Sequence, residues 1–428
     1  MSKIEVDAIE PQSGTDLTIG ASGDTITVPA GATFDSSAAT NTLPSTVVTT
    51  TGTQTLTNKT INASQLIDDS VTTAKLAYNP NPFRNIIING DMSIAQRSTS
   101  ETGVSTTGYY TVDRFKLTNA SSGTWTQSQS TDVPTSQGFA TSLKMDCTTA
   151  DASPSASDVL ILQQLIEGQN LQYLKKGTAN AESLTLSFWV KSNKTGTYIC
   201  ELRDIDNNRT ISQSYTISSA STWEKKTLTF AGDTSGALDN NNAESLRCSF
   251  FLNAGSDYTS GTLQTSWGSL TGTDRAVGQV NIADSTSNDF YITGVQLEAG
   301  TSASDFEFLP YDVNLQRCQR YFQKIESSAD WQVFASKNDS TTEVYATLSL
   351  PTSLRASPTL NNPNFNYFDS SSSQSNSGGS TTVRKVSNNN SLLTLIKSGF
   401  TSITGNRVSI ISPTQDLTID SELWLYKV

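Results

Sequence analysis

The chain has 428 residues, a formal net charge of -12, no histidine and only 16% charged residues. This length suits two or three domains. The acidic balance, with Lys175-Lys176 and Lys225-Lys226 as isolated basic pairs, argues against nucleic acid as a partner. Without histidine there is no Ser–His triad, no Cys–His pair and no His-ligated zinc. No apolar run reaches the length of a membrane span, and the N-terminus lacks the apolar stretch of a signal peptide, so membrane insertion is not expected. Hydrophobic residues are 35%, and Ser, Thr and Asn fill the deficit. These side chains compete for local backbone hydrogen bonds, which favours strands and turns over helix interiors. The fold class expected is all-β and elongated.

Residues 1–82 are thin in large apolar groups, with Phe34 and Tyr78 the aromatics before Pro82. Short period-two runs such as Asp24–Val28 and Thr55–Ile61 suggest short strands. A single such chain buries too little surface to offset its ordering entropy. Either a linker or several chains wound into a shaft is expected here. Asn79-Pro80-Asn81-Pro82 then breaks any regular element.

Residues 83–308 carry most of the aromatics and read as one β-sandwich. It opens with Asn85-Ile-Ile-Ile-Asn-Gly-Asp-Met92, where Ile86–Ile88 suggest a strand and Asn89-Gly90-Asp91 a turn. Strands are predicted at Asp113–Thr118, Ser142–Cys147, Val159–Ile166, Ser183–Ser192, Thr197–Asp204, Thr222–Phe230, Ser245–Leu252, Gln279–Ala283 and Asp289–Leu297, separated by polar turns. A helix is predicted at Asn170–Lys176, stopped by Gly177. Parity assigns faces: Leu184, Leu186, Phe188 and Val190 share one face of their strand, and Leu246, Cys248, Phe250 and Leu252 one face of theirs. Trp189, Trp223 and Phe251 fall on the opposite, polar faces. Large aromatics there must meet a neighbouring subunit, a covering loop or a sugar ring.

Residues 309–428 read as a smaller C-terminal β-sandwich led by a linker helix over 313–324, capped by Asp312, with Leu315, Cys318 and Phe322 on one face. Strands are predicted at Trp331–Ser336, Val344–Leu350, Thr381–Val386, Leu392–Ile396, Arg407–Ile411 and Glu422–Val428. The Asn/Ser-rich stretch from Asn361 to Ser380 reads as a long loop, of the kind that carries function. Trp331, Tyr345, Phe365, Tyr367 and Phe368 are the candidate receptor-binding residues, with core or subunit interface as the alternative for each.

Catalytic signatures are absent. Two carboxylates suffice for a glycosidase, so Asp204 with Asp206, or Asp284 with Asp289, are formal candidates, more simply read as solvated turn carboxylates. Asp204, Asp206 and Asn207 offer several oxygens for a structural calcium, without the glycine and terminal glutamate of an EF-hand loop. No other cofactor is expected. Cys147, Cys200, Cys248 and Cys318 have no metal-ligand spacing and read as buried thiols.

The Asn85–Met92 stretch with Asp113-Arg114-Phe115 resembles the start of a jelly-roll domain of bacteriophage tail fibres. Leu165-Ile-Glu-Gly-Gln-Asn170, Ser183–Ser192, Val295-Gln-Leu-Glu298 and Leu315-Gln-Arg-Cys-Gln-Arg-Tyr321 are similar to further landmarks of that family, and Thr55–Ile61 and Asp69–Ala77 to its shaft stretches. The resemblance covers 83–324 well and the last hundred residues only in general style. It implies a homotrimeric virion protein with an intertwined N-terminal shaft docked on tail adaptor or nozzle proteins. The jelly roll of such fibres is similar to carbohydrate-binding modules. The C-terminal domain would point outward to a host-surface glycan or outer-membrane receptor. The function this implies is adhesion without enzymatic activity, in the virion tail. The alternatives are a tailspike that degrades surface polysaccharide, and a head fibre or decoration protein.

Overall fold

The computed structural model describes residues 83–327, 334–361, 363–369, 373–376, 378–386 and 391–422. The expected shaft over 1–82, and Trp331, lie outside them. In chain order the first domain has β1 (Ser100–Val104), β2 (Lys116–Ala120), β3 (Thr124–Ser130), β4 (Ser142–Thr149), β5 (Val159–Glu167), β6 (Leu184–Ser192), β7 (Gly196–Asp204), β8 (Arg209–Ile217), β9 (Glu224–Phe230), β10 (Glu244–Ala254), β11 (Gly268–Ser269) and β12 (Asp289–Ala299). They form two antiparallel sheets, ordered β1-β3-β4-β12-β6-β9 and β11-β8-β7-β10-β5-β2. This is the all-β sandwich that the composition led one to expect.

Period-two side chains fill the space between the sheets. Leu184, Leu186, Phe188 and Val190 of β6 meet Tyr198, Cys200 and Leu202 of β7 and Leu246, Cys248, Phe250 and Leu252 of β10 in one core. Phe188 packs edge-on against Phe250 and Tyr215 across the sheets, at 5.1 and 5.0 Å between centroids. In β12 the inward set runs Phe290, Ile292, Val295, Leu297. The parity changes because the register against β6 shifts between Thr293 and Gln296, where Gly294 takes φ +62°. All four cysteines are buried and none is in a disulfide.

The Asn85 segment is not a strand. It crosses one end of the sandwich as a turn-rich latch bonded to both sheets. Ile86 N–H donates to Leu297 O at 2.8 Å, and Asn85 Nδ2 to Val295 O at 3.1 Å. On the other sheet, Gln164 of β5 accepts from Ile88 N–H at 2.7 Å and donates to Ile88 O at 2.9 Å. Asn89 adopts φ +60°, which its short amide tolerates, and clamps Ile94 N–H and O and Asp113 O. Backbone groups that a strand ladder would have paired are therefore satisfied by buried amides.

Other differences are also local. The 170–176 helix is two 3-10 turns, Gly168–Asn170 and Gln172–Leu174, closed by Lys175 in the left-handed region. Residues 279–283 form no strand; Ile282–Asp284 is a 3-10 turn. A helical turn, α1 (Ser256–Thr259), sits in the loop after β10. The linker helix α2 is Tyr311–Gln319, with Pro310 rather than Asp312 at its cap, and it stops before 324. Beyond it β13 (Phe322–Ile325) pairs with β22 (Leu417–Asp420), so Phe322 belongs to a sheet. Leu315 and Cys318 pack with Ile88, Ile94, Leu165 and Tyr321, placing the helix against the sandwich.

The C-terminal domain adds β14 (Phe334–Asn338), β15 (Glu343–Ser349), β16 (Thr359–Leu360), β17 (Phe365–Phe368), β18 (Ser373–Asn376), β19 (Thr381–Val386), β20 (Leu392–Ser398) and β21 (Val408–Pro413). The sheets are ordered β13-β22-β16 and β18-β17-β21-β14-β15-β20-β19. The stretch read as a long loop contains two paired strands, β17 and β18, with Phe365 and Tyr367 in the core beside Leu395, Ile411 and Phe400. The strand expected at Glu422–Val428 lies outside the described residues beyond Glu422; the last described strand is β22.

Buried ion pairs join the sandwich to the C-terminal sheets within one compact unit, Asp68–Val428. Arg114 pairs with Glu422, donates to Leu165 O at 2.6 Å and lies 3.4 Å over the Tyr321 ring. Arg97 meets Asp420 at 3.1 Å, and Arg320 donates two bonds to Glu167 at 2.8 and 2.7 Å. Asp113, wholly buried beside this network, accepts from Gln96. Burial pushes its carboxyl up to about 7, against the pull of Arg97 and the Gln96 bonds. The folded state therefore holds this proton more tightly than the unfolded chain between the ordinary value of 3.8 and about 7. Stability from this group is fully present below that window and is lost as pH rises through it. Urea midpoints should fall between pH 5 and 7.5, and Asp113→Asn should flatten that slope; an unchanged slope would refute the assignment.

Candidate functional site

The outward face of the β1–β9 sheet collects aromatic and basic side chains in two adjacent cross-strand rows. Register places Lys144 of β4 beside Tyr291 of β12, Tyr291 beside Lys191 of β6, and Thr293 beside Trp189, which is opposite Lys225 of β9. Alternation turns these residues outward, because Phe290, Ile292, Phe188 and Val190 point into the core. Trp223 joins them just before β9. Its ring lies 6.1 Å from Tyr291, edge to face, and its Nε1 donates to Asp132 at 2.9 Å. Lys191 pairs with Asp132 and holds its ammonium 4.2 Å from the Tyr291 centroid and 5.6 Å from that of Trp223. Burial raises Asp132, but bonds from Lys191 and Trp223 outweigh it and hold the carboxyl below its usual range.

The indole of Trp223 is therefore fixed by a charged anchor at its polar edge, and both tryptophans remain half-buried. A pre-positioned, half-buried indole, backed by the buried Tyr291 ring and flanked by ammonium groups, can stack on a sugar ring while those groups donate to its hydroxyls. Trp189 and Trp223, singled out by parity, are thus placed on one face. Tyr291, Lys191, Lys144 and Asp132 were missed. Parity within Asp289–Leu297 could have found Tyr291, whereas Asp132 comes from a loop distant in sequence.

Phe251, grouped with them by parity, lies elsewhere. It is on the outward face of the other sheet, fully buried with Val159, Ile161, Ile199 and Ala276, and Tyr258 of the 255–276 loop packs against it. The covering loop is what this aromatic meets, so it is neither sugar-facing nor at a subunit interface. In the C-terminal domain Phe365 and Tyr367 are core residues, not a receptor surface. Phe368 is half-buried, and Tyr345 is half-buried with its hydroxyl donating to Asp339 at 2.6 Å.

The calcium candidates are not brought to one point. Asp204 accepts from Asn207 N–H at 2.9 Å and Asn207 Nδ2 at 3.0 Å, while Asp206 accepts from Asp239 N–H at 2.9 Å. The Lys176 ammonium lies 3.6 Å from Asp204 and 3.2 Å from Asp233, already supplying the cation. Among the described residues no group of three or more His, Cys, Asp or Glu is arranged to hold a metal. Asp284 pairs with Lys194 and accepts from Asn288 at 2.7 Å.

No family model matches this sequence, and no curated protein matches it. Among solved structures the chain is similar to the enzymatically active domain of bacteriophage CBA120 tailspike protein 4, at 15% identity and a TM-score of 0.27, over 53% of this chain and 23% of that one. It is also similar to TmCBM61 in complex with β-1,4-galactotriose, at 10% identity and a TM-score of 0.24, over 50% of this chain and 99% of that one. A family 11 carbohydrate-binding module from Clostridium thermocellum is similar at 12% identity and a TM-score of 0.23, over 48% of this chain and 98% of that one.

Proposed function

We propose that this chain is an adhesive fibre protein of a bacteriophage tail, and that it grips a host-surface glycan through the Trp189–Trp223–Tyr291 face. The observation that carries the reading is the Trp223 indole, half-exposed and held edge-on by Asp132 beside Tyr291. The fibre-like landmarks support it: the Asn85 stretch and the Leu165–Asn170 and Leu315–Tyr321 stretches lie at the join between the sandwich and α2. Weak single sites suffice where three copies act together.

Screening the full chain on a host-glycan array, then measuring the hit by calorimetry, tests the face. Trp223→Ala is expected to weaken binding by about 2 kcal/mol, roughly 30-fold, the size of an aromatic hot spot. Equal affinity in the variant would sink the assignment. The mass in solution should be three times 45.9 kDa; a monomer would overturn the shaft. The carboxylate pairs considered for hydrolysis are tied into ion pairs and turns, which favours adhesion over cleavage. Release of oligosaccharide from host polysaccharide would instead establish the tailspike reading.

A further inference from the structure

A concavity lies where the Asn85 latch, the 3-10 turns after β5 and α2 converge. It encloses about 510 Å³. Its rim carries Phe83 and Tyr173, 63% and 48% exposed, which are among the most exposed large apolar side chains described. Its walls carry Gln169, Asn170, Arg317 and Arg320, and no Asp or Glu lines it among the described residues. That is unusual local chemistry for a chain of net charge -12.

The arginines around the cleft are not equivalent. Arg320 is neutralised by the Glu167 carboxylate, and Arg114 by Glu422. Arg317 has no ion pair among the described residues. Its one side-chain hydrogen bond among the described residues is from Nη2 to Asn85 O, at 3.3 Å. A guanidinium has five donors in a fork suited to a carboxylate or phosphate. Here most of that fork is unspent, in a wall where burial holds the group below its ordinary range. An anion in the cleft would relieve that cost.

We infer that this cleft is a second carbohydrate site, selective for a sugar bearing an anionic group, with Arg317 taking the anion and Tyr173 and Phe83 stacking on the ring. The inference rests on the reading of the chain as a glycan binder, but not on the Trp223 face. Carboxylate and phosphate share the recognising chemistry, so both are tried.

Calorimetry on the full chain would use tetragalacturonate, the neutral galactose tetramer and mannose 6-phosphate as probes. Tetragalacturonate or mannose 6-phosphate should bind at least tenfold more tightly than the neutral tetramer. Which anion binds assigns its source. Arg317→Gln should remove that preference, and Tyr173→Ala, an exposed change that leaves the core intact, should weaken the anionic probe about tenfold. Trp223→Ala should leave this binding unchanged, so that failure of one site is separable from failure of the other. Absence of binding by either anionic probe, or equal binding by Arg317→Gln at an unchanged urea midpoint, would overturn the inference.

Discussion

Replacing Arg114 by methionine should destabilise the described region by about 3–5 kcal/mol, the largest single-site effect expected outside the hydrophobic core. Glu422, its partner, is 1% exposed, and removing the guanidinium leaves that carboxylate buried. Arg97 lies 3.7 Å from Glu422 but makes no hydrogen bond to it with Nη1, so it compensates only in part. Although burial pulls the Arg114 guanidinium down, the Glu422 carboxylate beside it holds it above its ordinary range. The double variant Arg114→Met/Glu422→Leu should recover most of the loss, because an apolar pair removes both desolvation costs. Urea midpoints for the two single variants and the double one form a complete cycle. Additive losses would show that the pair is not the clamp between the domains.

Gly90→Ala is the second change expected to be severe, at about 3 kcal/mol or more. A Cβ at Gly90 would lie 2.0 Å from the Val295 carbonyl oxygen. That oxygen is backbone and accepts from Asn85 Nδ2, while Val295 N–H donates to Gly90 O at 2.9 Å. The strand cannot move aside without breaking the latch that closes the sandwich. Gly405→Ala is the matched control: its nearest atoms are 3.9 and 4.0 Å away, and its effect should stay within about 0.5 kcal/mol. Equal effects at the two positions would refute the latch.

Much of the first domain was legible because two-sided strands write their faces into the sequence. Ser183–Ser192 and Ser245–Leu252 needed only alternation to assign Phe188 and Phe250 to the core. The same rule carried Trp189 and Trp223 to the outer face. It stopped being sufficient where another segment covers a face. Phe251 and Trp223 have the same pattern, yet the 255–276 loop buries one and leaves the other half-exposed. The Asn361–Ser380 stretch misled for a related reason. Its Asn and Ser content signals turns, but β17 pairs with the distant β21, and long-range hydrogen bonding overrode local preference. The Asn85 latch was recognised as a landmark and misread as a strand, since isoleucines predict burial but not what satisfies their amides.

Alternation of side chains, the missing histidines and the Asn-Gly-Asp turn were enough to establish an all-β chain without His-based catalysis. These are properties of local spacing and of residue chemistry. The tertiary fold alone decided which aromatic faces stay open, that the Lys176 ammonium comes within 3.6 Å of Asp204, and that Arg317 has no ion pair among the described residues. Each of those depends on groups far apart in the chain meeting at a few ångströms, and local periodicity holds no record of that distance.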